Sequence, residues 1–181
     1  LKHGYLDRPV VDEWLNLLGQ VIQRQWPGLE LKRHSARTLV SCDVDSPFVL
    51  DSSWARWARR LGGDLLKRRS MLAATQSIVG KWYASRGDYK FDAHRSGLDF
   101  IMETNERANR EVAFYFIPEQ TDPVLDGQPV LHKAHVRQLL RGIHERGHEI
   151  GIHPGYNTYR YPEAMRQSAA SLRRVLDEER L

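Results

Sequence analysis

Cysteine is almost absent from the 181-residue sequence, which contains only Cys42. One cysteine cannot form a disulfide within the chain, and it cannot build a multi-cysteine zinc site. The chain has 8 histidines, however, and histidine and carboxylate side chains together also bind divalent metals. Any metal chemistry is therefore expected to depend on His, Asp and Glu.

Long apolar runs are also missing. No run approaches the roughly 20 residues of a membrane-spanning helix, and the first ten residues, LKHGYLDRPV, lack the apolar centre of a signal peptide. The sequence therefore predicts no membrane span and a cytoplasmic location, although a chain that begins with Leu1 rather than Met can lack its true start. Hydrophobic residues at 41% and charged residues at 28% are typical of a globular protein.

The charge is small overall but uneven. The formal net charge is +4, whereas residues 51–95 alone contain ten Lys and Arg against four Asp and Glu. A solvated helix face is the simplest interpretation, and nucleic acid or an acidic glycan are the alternatives. Because no zinc-finger spacing and no aromatic RNA-binding strand accompany the basic stretch, we regard a nucleic-acid partner as the weakest of these interpretations.

Strand-like and helix-like segments alternate along the chain. Strands are predicted over about 38–44, 111–117 and 148–153, and helices over about 10–26, 52–86 (in two pieces broken at Gly62-Gly63), 97–109, 134–146 and 161–180. This order predicts an α/β fold built from parallel βα units, with residues 1–37 as an N-terminal helix and connector and residues 38–181 as the α/β domain. Active sites of such folds lie at the carboxyl ends of the strands.

Two carboxylates lie where the first predicted strand ends, in the segment CDVDSPF. Asp43 and Asp45 are two positions apart. One carboxylate at such a place can bind a hard metal ion while the other holds or deprotonates a water molecule. The alternative is that Asp45 caps the turn before Ser46-Pro47 and that Asp43 forms an ion pair with a basic side chain.

Two histidines frame the third predicted strand, in the segment GHEIGIHPGYNTY. His148 and His153 are five positions apart, so an extended chain sends them to opposite faces. We therefore expect His148 to hydrogen-bond the backbone at the start of the strand and His153 to belong to the site at its end. Asn157 comes within reach of that site if the chain turns helically after His153. Each histidine could equally be an ordinary core or surface residue, and His34, His94, His132 and His135 show no comparable pattern.

Three segments together, TLVSCDVDSPF, AFYFIPEQTD and GIHERGHEIGIHPGYNTY, resemble the polysaccharide deacetylase family (the NodB homology domain, carbohydrate esterase family 4). The match is closest to a subgroup with D-x-D as its first motif and H-E-I-G-x-H with a Tyr-Asn loop as its second. The resemblance covers about residues 38–180. It implies a distorted (β/α) barrel, incomplete in this chain because three strands cannot close a barrel of seven or eight.

The resemblance also implies an activity. Members of the family are metal-dependent hydrolases that remove acetyl groups from N-acetylated or O-acetylated sugars, usually with zinc, so the implied partner is a carbohydrate. Asp43 matches the catalytic base, Asp45 the metal-binding aspartate and His153 the first metal-binding histidine. Asn157 stands where a second histidine is typical, and its neutral amide is a weaker zinc ligand.

Two departures leave an alternative open. Asn157 is the first, and the second is that the family's later segments, with an arginine-containing substrate loop and a general-acid histidine, are not recognisable here. A catalytically silent, glycan-binding or regulatory relative of the same fold is therefore the alternative to the hydrolase.

Overall fold

The computed structural model describes residues 7–32 and 37–181. The helices and strands are α1 Val10–Gln25, β1 Val40–Val44, α2 Trp54–Leu66, α3 Met71–Ala84, α4 Ala93–Glu106, β2 Val112–Phe116, α5 Ala134–Glu145, β3 Glu149–Ile152, a 3₁₀ helix Tyr156–Tyr159 and α6 Pro162–Glu179. The chain divides into two compact units between Thr38 and Leu39. The expectations about the N-terminus and about part of the connector, His34 included, fall on residues 1–6 and 33–36, which lie outside the described ranges.

The first unit consists of α1 and the segment that follows it. α1 ends where Trp26, Pro27 and Gly28 interrupt the helical pattern, as predicted. It buries none of its residues, and Trp14 and Leu18 are exposed on it. No helix in the described ranges is long and apolar enough to cross a membrane.

The second unit is organised around a parallel sheet in the order β1-β2-β3. Its register places Val44, Phe116 and Ile152 at one level, the last of each strand. The predicted α/β class and the parallel pairing are thereby confirmed. The three strands form an open sheet, and no barrel closes within the part of the chain that the structure describes.

One face of the sheet carries the hydrophobic core. Val112, Phe114 and Phe116 of β2 alternate toward it and are fully buried. They join one cluster with residues of the surrounding helices: Leu98, Met102, Val136, Leu139, Leu140, Ile143, Leu172 and Val175. Each large apolar side chain buried in this way contributes about 1.5–3 kcal/mol. The opposite face bears Asp43, Tyr115 and Gly151, which are level with one another.

The break between α2 and α3 differs from the prediction. Gly62 and Gly63 lie inside α2, because glycine costs a helix only about 1 kcal/mol and does not by itself end it. The chain turns further on, where Arg69 adopts a φ of 51° and the hydroxyl of Ser70 caps α3. The prediction of a break at Gly62-Gly63 was therefore wrong.

Candidate active site

Asp43, Asp45 and His153 converge at the carboxyl end of the sheet. Nε2 of His153 lies 3.8 Å from Oδ2 of Asp43 and 3.8 Å from Oδ1 of Asp45. The sheet register explains this meeting, because Asp45 and His153 directly follow residues that are both level with Phe116. The backbone N–H of His153 also donates to the Phe116 carbonyl oxygen at 2.7 Å, which continues the ladder by one residue.

Gly151 makes room for the ring of Tyr115 beside the strand end that carries His153. A Cβ atom at residue 151 would lie 2.4 Å from Cδ1 and 2.5 Å from Cε1 of Tyr115. The tyrosine ring therefore lies over the glycine, and any side chain at residue 151 would displace it. The glycine in HEIGIH has a packing reason that the sequence alone did not reveal.

The orientation of His153 prepares Nε2 to act as a ligand. Nδ1 lies 3.1 Å from the carbonyl oxygen of Pro154, and a carbonyl can only accept, so Nδ1 carries the proton. In the neutral ring, Nε2 then presents a lone pair to two carboxylates. Three acceptors that face one another require a proton or a cation between them.

A divalent cation fits the chemistry of these donors. Imidazole nitrogen and carboxylate oxygen are zinc ligands, and the side chains of Asp43 and Asp45 are 63% and 69% exposed, so they are free to rotate. The 3.8 Å separations exceed the roughly 3.3 Å between ligands of a tetrahedral zinc with bonds near 2.0–2.1 Å. Accordingly, within residues 7–32 and 37–181 no group of three His, Cys, Asp or Glu side chains already has metal-site spacing.

Cys42, the single cysteine of the sequence, directly precedes Asp43. Burial raises the pKa of its thiol, and the negative charges of Asp43 and Asp45 raise that pKa further. Cys42 lies on the strand next to Asp43, so its side chain turns toward the core face of the sheet. A thiol held protonated in this way is a poor metal ligand.

Asn157 lies on the 3₁₀ helix after β3, so the predicted helical turn is present. Its Nδ2 donates to the carbonyl oxygen of Thr121 at 3.0 Å, and its backbone N–H donates to Oγ1 of Thr121 at 2.9 Å. The structure thus ties Asn157 to the loop after β2. Its role as a metal ligand stays a prediction.

Asp126 is a site-building residue that the sequence did not single out. Its Oδ2 accepts from the backbone N–H and the hydroxyl of Thr121 and from the N–H of Asp122, and its Oδ1 accepts from the N–H of Tyr156 at 2.6 Å. Burial alone would raise the pKa of Asp126, but these hydrogen bonds outweigh it and lower the pKa. The carboxylate joins the loops that follow β2 and β3.

Two glycines let these loops approach closely. A Cβ at Gly127 would lie 2.4 Å from the carbonyl oxygen of Asp45, and a Cβ at Gly155 would lie 2.6 Å from Oγ1 of Thr121. Real Cβ contacts are longer than this, so larger residues would push the loops apart. The loops after all three strands are therefore fastened together beside His153.

The loop after β1 is held by hydrogen bonds with residues of α3 and of the start of α4. Fully buried Asp92 accepts from the N–H of Leu50 at 2.7 Å, and the ammonium of Lys81 donates to the Leu50 carbonyl at 2.8 Å. Nδ1 of His94 lies 2.7 Å from the Ser46 carbonyl and donates to it. His94 therefore has a partner that its sequence neighbourhood did not indicate, and these contacts hold the chain that carries Asp45.

His148 has the structural role expected of it. Its Nδ1 accepts from the N–H of Val112 at 3.3 Å, and its Nε2 lies 3.2 Å from Oε1 of Glu106. Arg146 clamps the same Glu106 carboxylate at 2.7 and 2.9 Å. Because this group sits at the amino end of β3, His148 cannot join His153 at a metal.

A cleft of about 410 Å³ begins at Asp45. Its walls are the loops after β1 and β2 and one side of α2, with Phe48, Asp51, Arg56, Arg60, Asp126 and Lys133 among the lining residues. Small-molecule sites of proteins commonly occupy roughly 300–1,000 Å³. The cleft is therefore large enough to admit a sugar ring next to Asp45.

The chain matches no known family, and no curated protein or solved structure matches it either. The resemblance to polysaccharide deacetylases thus rests on its three segments. The chemistry open to the site is set by the donors at the carboxyl end of the sheet and by the cleft that begins at Asp45.

Proposed function

We propose that the protein is a metal-dependent hydrolase that removes acetyl groups from N-acetylated or O-acetylated sugars of a glycan. The observation that carries the proposal is the approach of two carboxylates to Nε2 of His153, one of which, that of Asp45, also lines a sugar-sized cleft. In this proposal the three strands belong to a distorted (β/α) barrel. Zinc is the metal that the donor chemistry suits best.

Asp45 and His153 would hold the metal, with the side-chain oxygen of Asn157 as a third donor. The bound ion would polarise the acetyl carbonyl and lower the pKa of water toward roughly 7. Pro154 fixes the ring of His153 through its carbonyl oxygen, so Nε2 needs no reorientation to bind. The protein's contribution here is a pair of ligands delivered from β1 and β3.

Asp43 is suited to the work of a general base. Its side chain is 63% exposed, and its Oδ2 already lies near the nitrogen that would bind the ion. A carboxylate placed there can take a proton from a water molecule as that water attacks the acetyl carbon. Because Asp43 lies level with Tyr115 on the open face, substrate can reach it from the solvent side.

Aromatic side chains near the site support a carbohydrate substrate. Tyr156 is 54% exposed, and its ring centroid lies 6.1 Å from that of Tyr159. Exposed aromatic faces bind the apolar faces of sugar rings. The N–H of Tyr156 also donates to Asp126, so its backbone is fixed to the loop after β2.

The proposal is tested by acetate release from oligomers of N-acetylglucosamine in the presence of zinc. We expect wild type to release acetate and Asp43→Asn to lose about 10³-fold in turnover while still binding zinc. Glu149→Gln is the matched control, because Glu149 lies on the same sheet face at the opposite end of β3. Full turnover in Asp43→Asn would remove Asp43 from the role of base.

A catalytically silent glycan-binding protein is the second candidate. It is favoured by the hydrogen bond that ties the Asn157 amide to Thr121 and by the wide spacing of the three donors. This candidate predicts that the same oligomers bind without acetate release and that the binding does not depend on zinc. Isothermal titration with and without a chelator separates the two functions.

A further inference from the structure

Arg56 and Arg60 lie one turn apart on α2, and both line the cleft that begins at Asp45. Residues four apart share a helix face, so the two guanidinium groups border the same space. In the described part of the chain neither side chain has a hydrogen bond or an ion-pair partner. Two unpaired arginines at one wall of a cleft leave ten N–H donors for a ligand.

The third cation of the cleft, Lys133, already has a carboxylate partner. The ammonium of Lys133 lies 2.6 Å from Oδ2 of Asp51, which His135 also approaches at 3.4 Å. Asp126 accepts from four donors, and Asp45 belongs with His153 to the candidate active site. Within the described residues, Arg56 and Arg60 are therefore the cations of the cleft that no carboxylate pairs with.

We propose that Arg56 and Arg60 form a subsite for an anionic group, a carboxylate or a sulfate, on the glycan that the cleft binds. The guanidinium fork matches such oxyanions with paired hydrogen bonds. Since one cleft of about 410 Å³ contains both Asp45 and the arginines, the anion belongs to the acetylated sugar or to its neighbour. This inference rests on the proposed function for the glycan, and it names the substrate class as acidic acetylated glycans.

The test compares three tetrasaccharides by isothermal titration. The first alternates N-acetylglucosamine with glucuronic acid, the second is its sulfated form, and the third is the neutral tetramer of N-acetylglucosamine. We expect wild type to bind at least one acidic probe about tenfold more tightly than the neutral one. The double variant Arg56→Gln/Arg60→Gln should lose that preference and bind the neutral tetramer as before.

Arg59→Gln is the matched control, because Arg59 is exposed on the same helix but does not line the cleft. It should keep the preference, and Arg56→Lys/Arg60→Lys should keep part of it. A wild-type preference for the sulfated probe alone also supports the subsite and identifies sulfate as the anion. Equal affinity for acidic and neutral probes in wild type overturns the subsite.

Two further outcomes separate this inference from the hydrolase. Acidic-probe binding that depends on both arginines, without acetate release, supports the subsite and rejects the hydrolase. Acetate release by a protein that binds acidic and neutral probes equally supports the hydrolase and rejects the subsite. The subsite is overturned if Arg59→Gln weakens binding of the acidic probes as much as the double variant does and the protein also binds single-stranded RNA with a steep salt dependence. In that case the arginines belong to a surface that binds polyanions without a defined site.

Discussion

His148 and His153 lie at opposite ends of β3, and their surroundings differ in every respect that decides a histidine's role. His148 is 5% exposed, and both of its ring nitrogens have protein partners. His153 is half-buried, and its Nε2 faces two carboxylates at 3.8 Å rather than a hydrogen-bond donor. The ring of His148 is used fully by contacts within the protein, whereas Nε2 of His153 is directed at two carboxylates that are themselves exposed.

The strand ends account for this difference. At the amino end of β3 the chain arrives from α5, and Arg146 and Glu106 close over His148. At the carboxyl ends of parallel strands the chain must leave the sheet, so the loops separate and a concave site forms between them. A buried imidazole therefore stabilises the fold, and an accessible one is available to bind a ligand.

The largest effect is expected from removing the structural histidine. His148→Ala removes the acceptor of the Val112 N–H and one of the partners of Glu106 and opens a cavity, so the free energy of unfolding should fall by about 3 kcal/mol. Urea unfolding followed by circular dichroism measures it. His132→Ala, an exposed histidine, is the control. A His148→Ala variant as stable as wild type would end the contrast between the two histidines.

The next effect concerns the fastening of the loops beside His153. In Gly127→Ala the new methyl group meets the Asp45 carbonyl at 2.4 Å, so backbone must move, and we expect a loss of about 2 kcal/mol together with weaker zinc binding. Gly97→Ala is the matched control, since a Cβ at this α4 glycine meets nothing within 4 Å and should stabilise the helix slightly. Unchanged zinc affinity in Gly127→Ala would show that the loop contact does not position Asp45.

A smaller effect, dependent on pH, is expected from Asp126→Asn. The hydrogen bonds that lower the pKa of Asp126 in the folded protein stabilise it above the unfolded pKa near 3.8, and this contribution disappears as the pH falls through the folded value. The variant should lose about 1 kcal/mol at neutral pH and show less acid sensitivity below about pH 4. Asp177→Asn, on α6, should change neither quantity. Identical acid profiles for wild type and Asp126→Asn would contradict the role of this carboxylate.

The smallest effect on stability is expected from His153→Ala. In metal-free protein, His153 makes no hydrogen bond that holds two elements together through its ring, because its Nδ1 contact is with the adjacent Pro154. The free energy of unfolding should therefore change by less than about 0.5 kcal/mol. A loss comparable to that of His148→Ala would make both histidines structural.

Local sequence patterns predicted the strands and the placement of Asp43, Asp45 and His153. The β-branched and aromatic runs locate the strands, and the end of a parallel strand is a local property of the sequence. His148 was also correctly assigned to the backbone, because the odd spacing in HEIGIH separates it from His153.

Contacts between loops could not be predicted from local sequence patterns. The bond from Asp126 to Tyr156 joins residues 30 positions apart in irregular segments, where no periodicity indicates a partner. The approach of His135 to Asp51 and the arrangement of Arg56 and Arg60 around the cleft likewise depend on how helices pack. The chain turns at Arg69 and not at Gly62-Gly63, and the sequence gives no local signal that Arg69 adopts a left-handed backbone conformation.

The proposed metal site is tested most directly by the zinc content of the purified protein after incubation with zinc and exhaustive dialysis, measured by elemental analysis. We predict about one zinc per chain in wild type and in Glu149→Gln, and none in Asp45→Ala or His153→Ala. A wild-type protein without zinc, or variants that retain it in full, would contradict the claim that the carboxyl end of the sheet is a metal site.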